Sequence, residues 1–143
     1  MLLTVHDELI FEVEEARDGM ELRPGLAVIA RAGVHLRLDL RRERLFGWLD
    51  IAPLGAAHRP SVDVLFQSAA AQFGAGALGV ILTGMGDDGL VGSRAIHDAG
   101  GKILTEAESS CVIYGMPRCV HEAGLAMAEA PLADMAAMIL RRL

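Results

Sequence analysis

The stretch ALGVILTGMGDDGLVGSRAIHDAGGKIL, residues 77–104, decides the fold. It opens with an apolar run at 77–82 and passes through a glycine-rich loop at 83–89. A segment with helical periodicity follows, and a second apolar run begins at residue 102. A strand, a helix and a second strand in this order favour a parallel α/β sheet. In open sheets of that kind, ligands bind beyond the carboxyl ends of the strands, which is where this loop lies.

Further helices are predicted on both sides of this stretch. Residues 62–73 repeat apolar side chains at helical spacing, with Ser61 as a suitable N-cap and Asp63 in the first turn. Pro117 begins a short helix, and residues 131–143 predict a last, amphipathic one. The side chains expected to point inward from that last helix are Leu132, Met135, Ala136, Ile139 and Leu140.

The first half of the chain predicts strands. The continuous apolar run at 26–30 fits a strand covered on both faces, and residues 34–40 alternate as a half-buried strand does. Residues 44–53 can pair with the alternating strand, and residues 2–13 predict two short strands around a polar turn. We therefore expect an α/β fold with a doubly wound, mostly parallel sheet and an antiparallel hairpin near the N-terminus.

Composition restricts the class of protein. The 143 residues are 52% hydrophobic, which suits one domain with a real core. Nineteen acidic against thirteen basic residues give a net charge of −6, which argues against nucleic acid as a partner. No apolar run approaches the roughly 20 residues that span a bilayer, and no secretory signal is present. We expect a cytoplasmic protein, without membrane insertion, whose Cys111 and Cys119 are reduced.

The glycine-rich loop permits two kinds of chemistry. Its backbone N–H groups and the following helix N-terminus favour a bound anion or a developing oxyanion. Read literally, residues 84–89 are also G-x-G-x-x-G, the dinucleotide fingerprint, with Glu106 at the end of the next strand. Asp87 and Asp88 count against nucleotides, because they would place two carboxylates beside a pyrophosphate. Nucleotide binding remains an alternative at this point.

Asp88 itself has two interpretations. Aspartate is a preferred helix N-cap, so a cap on the helix after the loop is the commoner role for such a residue. A carboxylate in this position can also hold a catalytic histidine in the correct tautomer beside a nucleophile.

Four segments, in this order, resemble one family. They are EARDGMELRPGLAVIARAGVHLRL, HRPSVDVLFQSAA, the 77–104 stretch and ESSCVIYGMPR. Together they resemble the catalytic domain of CheB, the chemotaxis protein-glutamate methylesterase, over residues 15–143. The TGMG-x-DG loop with the downstream CV-x-YGMPR segment is the most specific part of this resemblance.

The resemblance implies a serine-hydrolase triad on an α/β sheet. The expected reaction removes methyl esters from glutamates on chemoreceptor signalling helices, and many members also deamidate glutamines. It implies no cofactor and no metal. By match to the motif, the triad carboxylate is Asp88, and the backbone of Met85 and Gly86 lies near the oxyanion position. The loop beside the active cleft comprises Tyr114, Gly115, Met116 and Pro117.

The chain also departs from the family pattern. Asp87 stands where the family usually has asparagine, and Arg31 replaces a usual proline. The family's G-x-S-T-G-G nucleophile loop, its histidine segment and its receiver domain are absent from the 143 residues. We therefore expect an N-terminally truncated domain that lacks the first strands of its sheet and is inactive alone. The five serines present are expected to be caps or turn residues.

Residues 1–14 do not resemble the methylesterase family. They resemble the HDE hairpin of family A DNA polymerases, with Asp7 at the position of a metal-binding aspartate. Polymerase activity is excluded because the rest of that palm is absent. We predict a foreign-looking segment at 1–14 and a partial methylesterase domain at 15–143. The alternative function is a non-catalytic binding or assembly module that self-associates through sheet surface left exposed.

Overall fold

The structure is a computed structural model that describes residues 4–5, 8–9 and 12–142. Its strands are β1 (Thr4–Val5), β2 (Glu8–Leu9), β3 (Glu12–Glu15), β4 (Met20–Leu22), β5 (Leu26–Ile29), β6 (His35–Arg41), β7 (Arg44–Asp50), β8 (Leu78–Ile81), β9 (Lys102–Glu106) and β10 (Ala128–Ala130). Its α-helices are α1 (Val62–Phe73), α2 (Leu90–Asp98), α3 (Met116–Glu122) and α4 (Leu132–Leu140).

The deciding stretch folds as predicted, into β8, α2 and β9. Strands β8 and β9 are parallel, with Leu78 opposite Lys102, and β10 continues the parallel sheet on the other side of β9. The strand order is β10-β9-β8, so β8 forms one edge of this sheet among the described residues. The sequence did not predict β10, because Ala-Glu-Ala carries neither β-branched residues nor an apolar run.

Helices cover both faces of this sheet, which confirms the α/β class. Alternate residues of a strand point to opposite faces, and here they divide between two cores. Ile81 and Ile103 pack in one core with residues of α1, α2 and α3. Leu104 and Ala130 pack in the other with Met135 of α4. Buried parallel strands between two helical layers are the doubly wound arrangement.

Helices α1 and α2 approach each other closely because Gly92 faces α1. A Cβ at Gly92 would lie 2.5 Å from the Cβ of Phe66 and 3.0 Å from the Cα of Asp63. No larger side chain fits there without separating the helices. This contact brings the N-termini of α1 and α2 together, and those two N-termini form the site described below.

The first half adds an antiparallel sheet in the order β4-β7-β6. The predicted pairing of β6 with β7 is confirmed from His35 opposite Asp50 to Arg41 opposite Arg44. Strand β4 was not expected, since glycine and proline flank it closely in the sequence. Strand β3 runs across the predicted boundary between residues 14 and 15 and pairs in parallel with β5.

Three local predictions need correction or lie partly outside the described residues. The run 26–30 is not covered on both faces, because Ile29 is 59% exposed and no residue of β5 is fully buried. In α4 the inward residues are Met135, Met138 and Ile139, so Leu132 and Ala136 are exposed. Of the predicted hairpin at 2–13, β1 and β2 are described and pair antiparallel, while its turn lies outside the described residues.

Candidate functional site

Asp88 lies in the loop between β8 and α2, at the carboxyl end of the parallel sheet. Its carboxylate is held by the start of α1. Oδ1 accepts from the Ser61 hydroxyl at 2.8 Å and from the Asp63 N–H at 3.1 Å, and Oδ2 accepts from the Val62 N–H at 2.8 Å. Backbone N–H groups at a helix N-terminus favour a negative charge, so α1 supplies a preformed seat for this carboxylate.

Asp88 is a cap, but not of the helix that follows it. The N-cap of α2 is Gly89, whose φ of 99° is left-handed and which has no side chain to bond. The N–H groups of Gly89 and Gly92 donate instead to Oδ1 of Asp63, at 3.0 and 2.7 Å. Asp88, just before α2, therefore caps the start of α1, and Asp63 of α1 caps the start of α2. These two sets of bonds fix Asp88 relative to both helices.

Burial raises the pKa of the Asp63 carboxyl above its ordinary value of 3.8. The charges of Asp88 and Asp87 act in the same direction, and the N–H groups of Gly92 and Gly89 oppose them. Asp63, Asp87 and Asp88 thus lie close together, and the negative charges of Asp88 and Asp87 disfavour ionisation of Asp63.

His35 and Ser61 complete the surroundings of Asp88. His35 is fully buried at the start of β6, and its Nδ1 accepts from the Ser61 N–H at 3.2 Å. Ser61 is the N-cap of α1 as predicted, with Oγ accepting from the Val64 N–H at 3.4 Å. The sequence marked Ser61 as a cap, but nothing local shows that its hydroxyl also reaches Asp88.

These three side chains do not form a hydrolase triad. In a triad the serine hydroxyl bonds the histidine, and the aspartate bonds the other imidazole nitrogen. Here the Ser61 hydroxyl donates directly to Asp88, and His35 contacts only the Ser61 backbone. Ser61 is therefore held as a cap, and among the described residues its hydroxyl is not hydrogen-bonded to a histidine.

The loop at 113–117 packs directly on the glycine-rich loop. The Gly84 carbonyl accepts from the N–H groups of Gly115, at 3.1 Å, and Met116, at 2.8 Å. A Cβ at Gly115 would lie 2.5 Å from that carbonyl oxygen and 3.1 Å from the Gly86 nitrogen. Only glycine fits at 115, so the YGMP segment supports the backbone of the residues predicted at the oxyanion position.

The residues predicted at the oxyanion position and those predicted in the cleft differ in their exposure. Met85 is 76% exposed, and Gly86 is exposed with a φ of 89°. Pro117 is buried in the first turn of α3. Within residues 12–142, neither the Met85 nor the Gly86 N–H donates to another backbone group. These two N–H groups, in the loop that carries Asp88, are therefore free to donate to an oxygen of a bound molecule.

The Tyr114 side chain is held by a hydrogen bond to Glu129 of β10. Its hydroxyl donates to Oε2 of Glu129 at 3.1 Å, and Nδ1 of His121 lies 3.3 Å from the same oxygen. Burial and the hydrogen bond to Glu129 raise the pKa of the Tyr114 phenol above its usual 10.0. This cluster connects the loop before α3 and the last turn of α3 to β10, and no local sequence pattern predicts it.

The geometry disfavours a nucleotide at the glycine-rich loop. Glu106 is 1% exposed, and its two carboxylate oxygens accept from the Thr83 N–H and the Ser110 hydroxyl, each at 2.8 Å. It does not reach a ribose at the surface. At the start of α2, the N–H groups of Gly89 and Gly92 are already bonded to Asp63 and that of Leu90 to the Asp87 carbonyl, so these three are not free to bind a pyrophosphate.

A cavity of about 220 Å³ adjoins Asp88. Its walls are Pro53, Ala56, Ala57, His58, Ser61, Asp63, Val64, Gln67, Asp87 and Asp88. A larger apolar groove of about 660 Å³ lies along β5 and β6 and includes none of the predicted site residues. We place the candidate site at the smaller cavity because chemistry depends on the carboxylate, not on the volume.

Among residues 4–5, 8–9 and 12–142, no three His, Cys, Asp or Glu side chains converge as metal ligands would. No helix in the same residues has the length and apolar character needed to cross a membrane.

A hydrogen-bonded carboxylate, free backbone N–H groups and a supporting loop meet at the carboxyl end of the parallel strands, which places the chain in the class of open α/β proteins with a site at that end of the sheet. Comparison with known proteins makes the class specific. The family model described as CheB methylesterase matches residues 4–139. The chain belongs to the CheB methylesterase family.

Individual relatives agree. The chain is 58% identical over 130 residues to protein-glutamate methylesterase/protein-glutamine glutaminase 5 of Myxococcus xanthus, a match that covers 91% of the chain and 37% of that relative. It is 47% identical over 135 residues to a similarly named protein of Moorella thermoacetica, covering 93% of the chain and 32% of the relative. The chain therefore spans about a third of the length of these curated relatives.

A solved structure shows the same fold. The crystal structure of the Thermotoga maritima CheB methylesterase catalytic domain superposes with a TM-score of 0.88 at 34% identity. The match covers 91% of this chain and 69% of that domain. Nearly a third of the solved domain thus has no counterpart in the 143 residues.

Proposed function

We propose that this chain is the part of a protein-glutamate methylesterase that supplies the triad carboxylate and the cleft loop. The observation that carries the proposal is the geometry of Asp88. An ionised carboxylate has about four acceptor positions, and three are filled by α1. The fourth, on Oδ2, is left for the imidazole N–H of a histidine.

The remaining roles follow from the loop contacts. The N–H groups of Met85 and Gly86 stabilise the oxyanion that forms when the ester carbonyl is attacked. Tyr114, Gly115, Met116 and Pro117 hold that backbone in place and border the cleft. No step needs a cofactor, because ester hydrolysis requires only a nucleophile, a base and a charge-stabilising site.

The substrate we propose is a methylated glutamate on a chemoreceptor signalling helix, with glutamine as a second substrate. The name of the Myxococcus xanthus relative, which pairs methylesterase with glutaminase, supports both. A net charge of −6 suits a protein substrate better than nucleic acid. A cytoplasmic location and control by a receiver domain belong to the same proposal.

The 143 residues alone are proposed to be inactive, because they contain no G-x-S-T-G-G loop and no serine that is followed by a histidine before Asp88. The test is incubation with an active-site serine probe and with a methylated receptor fragment. We expect no covalent label, and no methanol release above that of the Asp88→Ala variant. Labelling or Asp88-dependent methanol release would show that another serine acts as nucleophile.

A second candidate, an assembly module, is supported by the uncovered edge of the parallel sheet. Three exposed apolar side chains follow β8 in the chain. Leu82, directly after the strand, is 39% exposed, Met85 in the next loop 76%, and Val91 in α2 55%. Apolar side chains near a strand whose outer edge has no partner among the described residues favour association with another polypeptide, including a second copy. Sedimentation over a range of concentrations tests this, and a strictly monomeric chain contradicts it.

A further inference from the structure

His35 is a costly residue for the core position it occupies. The side chain is fully buried, and no acceptor for its Nε2 lies among the described residues. A backbone N–H can only donate, so Nδ1, which accepts from Ser61, is unprotonated and the ring proton is on Nε2. Burying an unsatisfied ring N–H is unfavourable, whereas an apolar side chain would pack there without that cost.

What His35 provides in return is one hydrogen bond to the N-cap of α1. Three consecutive N–H groups begin that helix. The N–H of Ser61 donates to His35, and those of Val62 and Asp63 donate to Asp88. Fixing the Ser61 backbone therefore fixes the direction of the next two N–H groups and of the hydroxyl that holds Asp88.

We propose that His35 is a positioning residue for the Asp88 carboxylate, acting through the backbone of Ser61. This deepens the proposed function and rests on it, because the position of Asp88 matters for catalysis only if Asp88 belongs to the triad. His35 touches no reacting atom and takes no proton in this role. It links strand β6 of the antiparallel sheet to a carboxylate on the parallel sheet.

The other ties between β6 and α1 differ in direction and in place. The N–H of Leu38 donates to the Ser68 hydroxyl and that of Leu40 to the Gln72 side-chain oxygen, each at 3.0 Å. There the helix side chain accepts from the strand, well inside the helix. At His35 the strand side chain accepts from the helix backbone, at the end that meets Asp88. Ser68→Ala is therefore a matched control that loosens the same two elements away from the site.

The experiment is amide hydrogen exchange by NMR on the full 143-residue chain, read at Val62, Asp63 and Leu104. The amide of Leu104 lies in the central strand and corrects each variant for global stability. His35→Phe keeps a ring and removes the acceptor, whereas His35→Asn places an amide oxygen near the position of Nδ1. His35→Gln, whose amide reaches the Nε2 position instead, replaces the Phe variant if that variant does not fold.

We expect His35→Phe to speed exchange at Val62 and Asp63 about tenfold more than at Leu104, since the bonds to Asp88 loosen. His35→Asn should restore protection to within about threefold of the parent chain, and Ser68→Ala should leave the two amides in step with Leu104. The proposal is overturned if His35→Phe or its Gln replacement changes all three amides equally, or if Asn fails to rescue. Exchange needs no turnover, so a failure of the methylesterase proposal leaves this result readable.

Discussion

Replacing Asp88 should destabilise the chain, which is unusual for a residue placed in a catalytic site. Asp88→Ala removes three hydrogen bonds, from the Ser61 hydroxyl and from the N–H groups of Val62 and Asp63. Bonds to a charged acceptor contribute about 1.5–3 kcal/mol each, but these three share one carboxylate and are partly open to water. We expect a loss of about 2–4 kcal/mol in the free energy of unfolding.

The assay is urea unfolding followed by the fluorescence of Trp48, the single tryptophan of the chain. Asp87→Ala is the control, because it removes the same charge from an exposed neighbour and should change stability by less than about 0.5 kcal/mol. Asp88→Asn should fall between the two, since its amide nitrogen would face the Val62 N–H. The reasoning is refuted if Asp88→Ala and Asp87→Ala have the same effect.

Three further predictions concern the same loops. Because the pKa of Asp63 is raised in the folded chain, its contribution to stability is present below pH 3.8 and is lost as pH rises through the raised pKa. Asp63→Asn should therefore remove that part of the pH dependence of urea unfolding. Asp63→Ala, which also removes the hydrogen-bond acceptor, should lower the free energy of unfolding by about 1–3 kcal/mol. Gly115→Ala should cost about 2 kcal/mol or more in thermal unfolding, against almost nothing for Gly55→Ala, where a Cβ has no neighbour within 4 Å. Ultraviolet titration of Tyr114, the single tyrosine, should show ionisation at higher pH than in the urea-unfolded chain, with Glu129→Gln reducing the difference.

Local sequence signals predicted the elements around the site well. The Ser61 cap, the helix it begins and the apolar strands β8 and β9 depend on residues within one turn or one strand, and all four are confirmed. The partners of Asp88 could not be predicted in this way. They lie 25–27 residues earlier in the chain and reach it only because Gly92 lets α1 and α2 approach. A cap was expected, and the structure shows that it belongs to a different helix.

The burial of His35 is a second feature that local sequence patterns could not predict. Alternation along residues 34–40 placed it on the polar face of a half-buried strand. At His35 alone that face is covered, by the chain at the start of α1, where the Ser61 N–H donates to His35 Nδ1. A two-residue period does not contain such a tertiary contact. In α4, helical periodicity predicts the helix correctly but predicts too many inward residues. Only Met135, Met138 and Ile139 pack against the core on that side of the sheet.

The most direct test of the central claim joins this chain to the part of the domain that it does not contain. The segment of the Thermotoga maritima catalytic domain outside the match would be fused before residue 15, and methanol release from a methylated receptor fragment would be measured. We predict hydrolysis by the fusion, reduced on the order of 10²–10⁴-fold by Asp88→Ala and within about threefold of the parent for Asp87→Ala. A folded, active fusion that is indifferent to Asp88→Ala would contradict the assignment of Asp88 as the triad carboxylate.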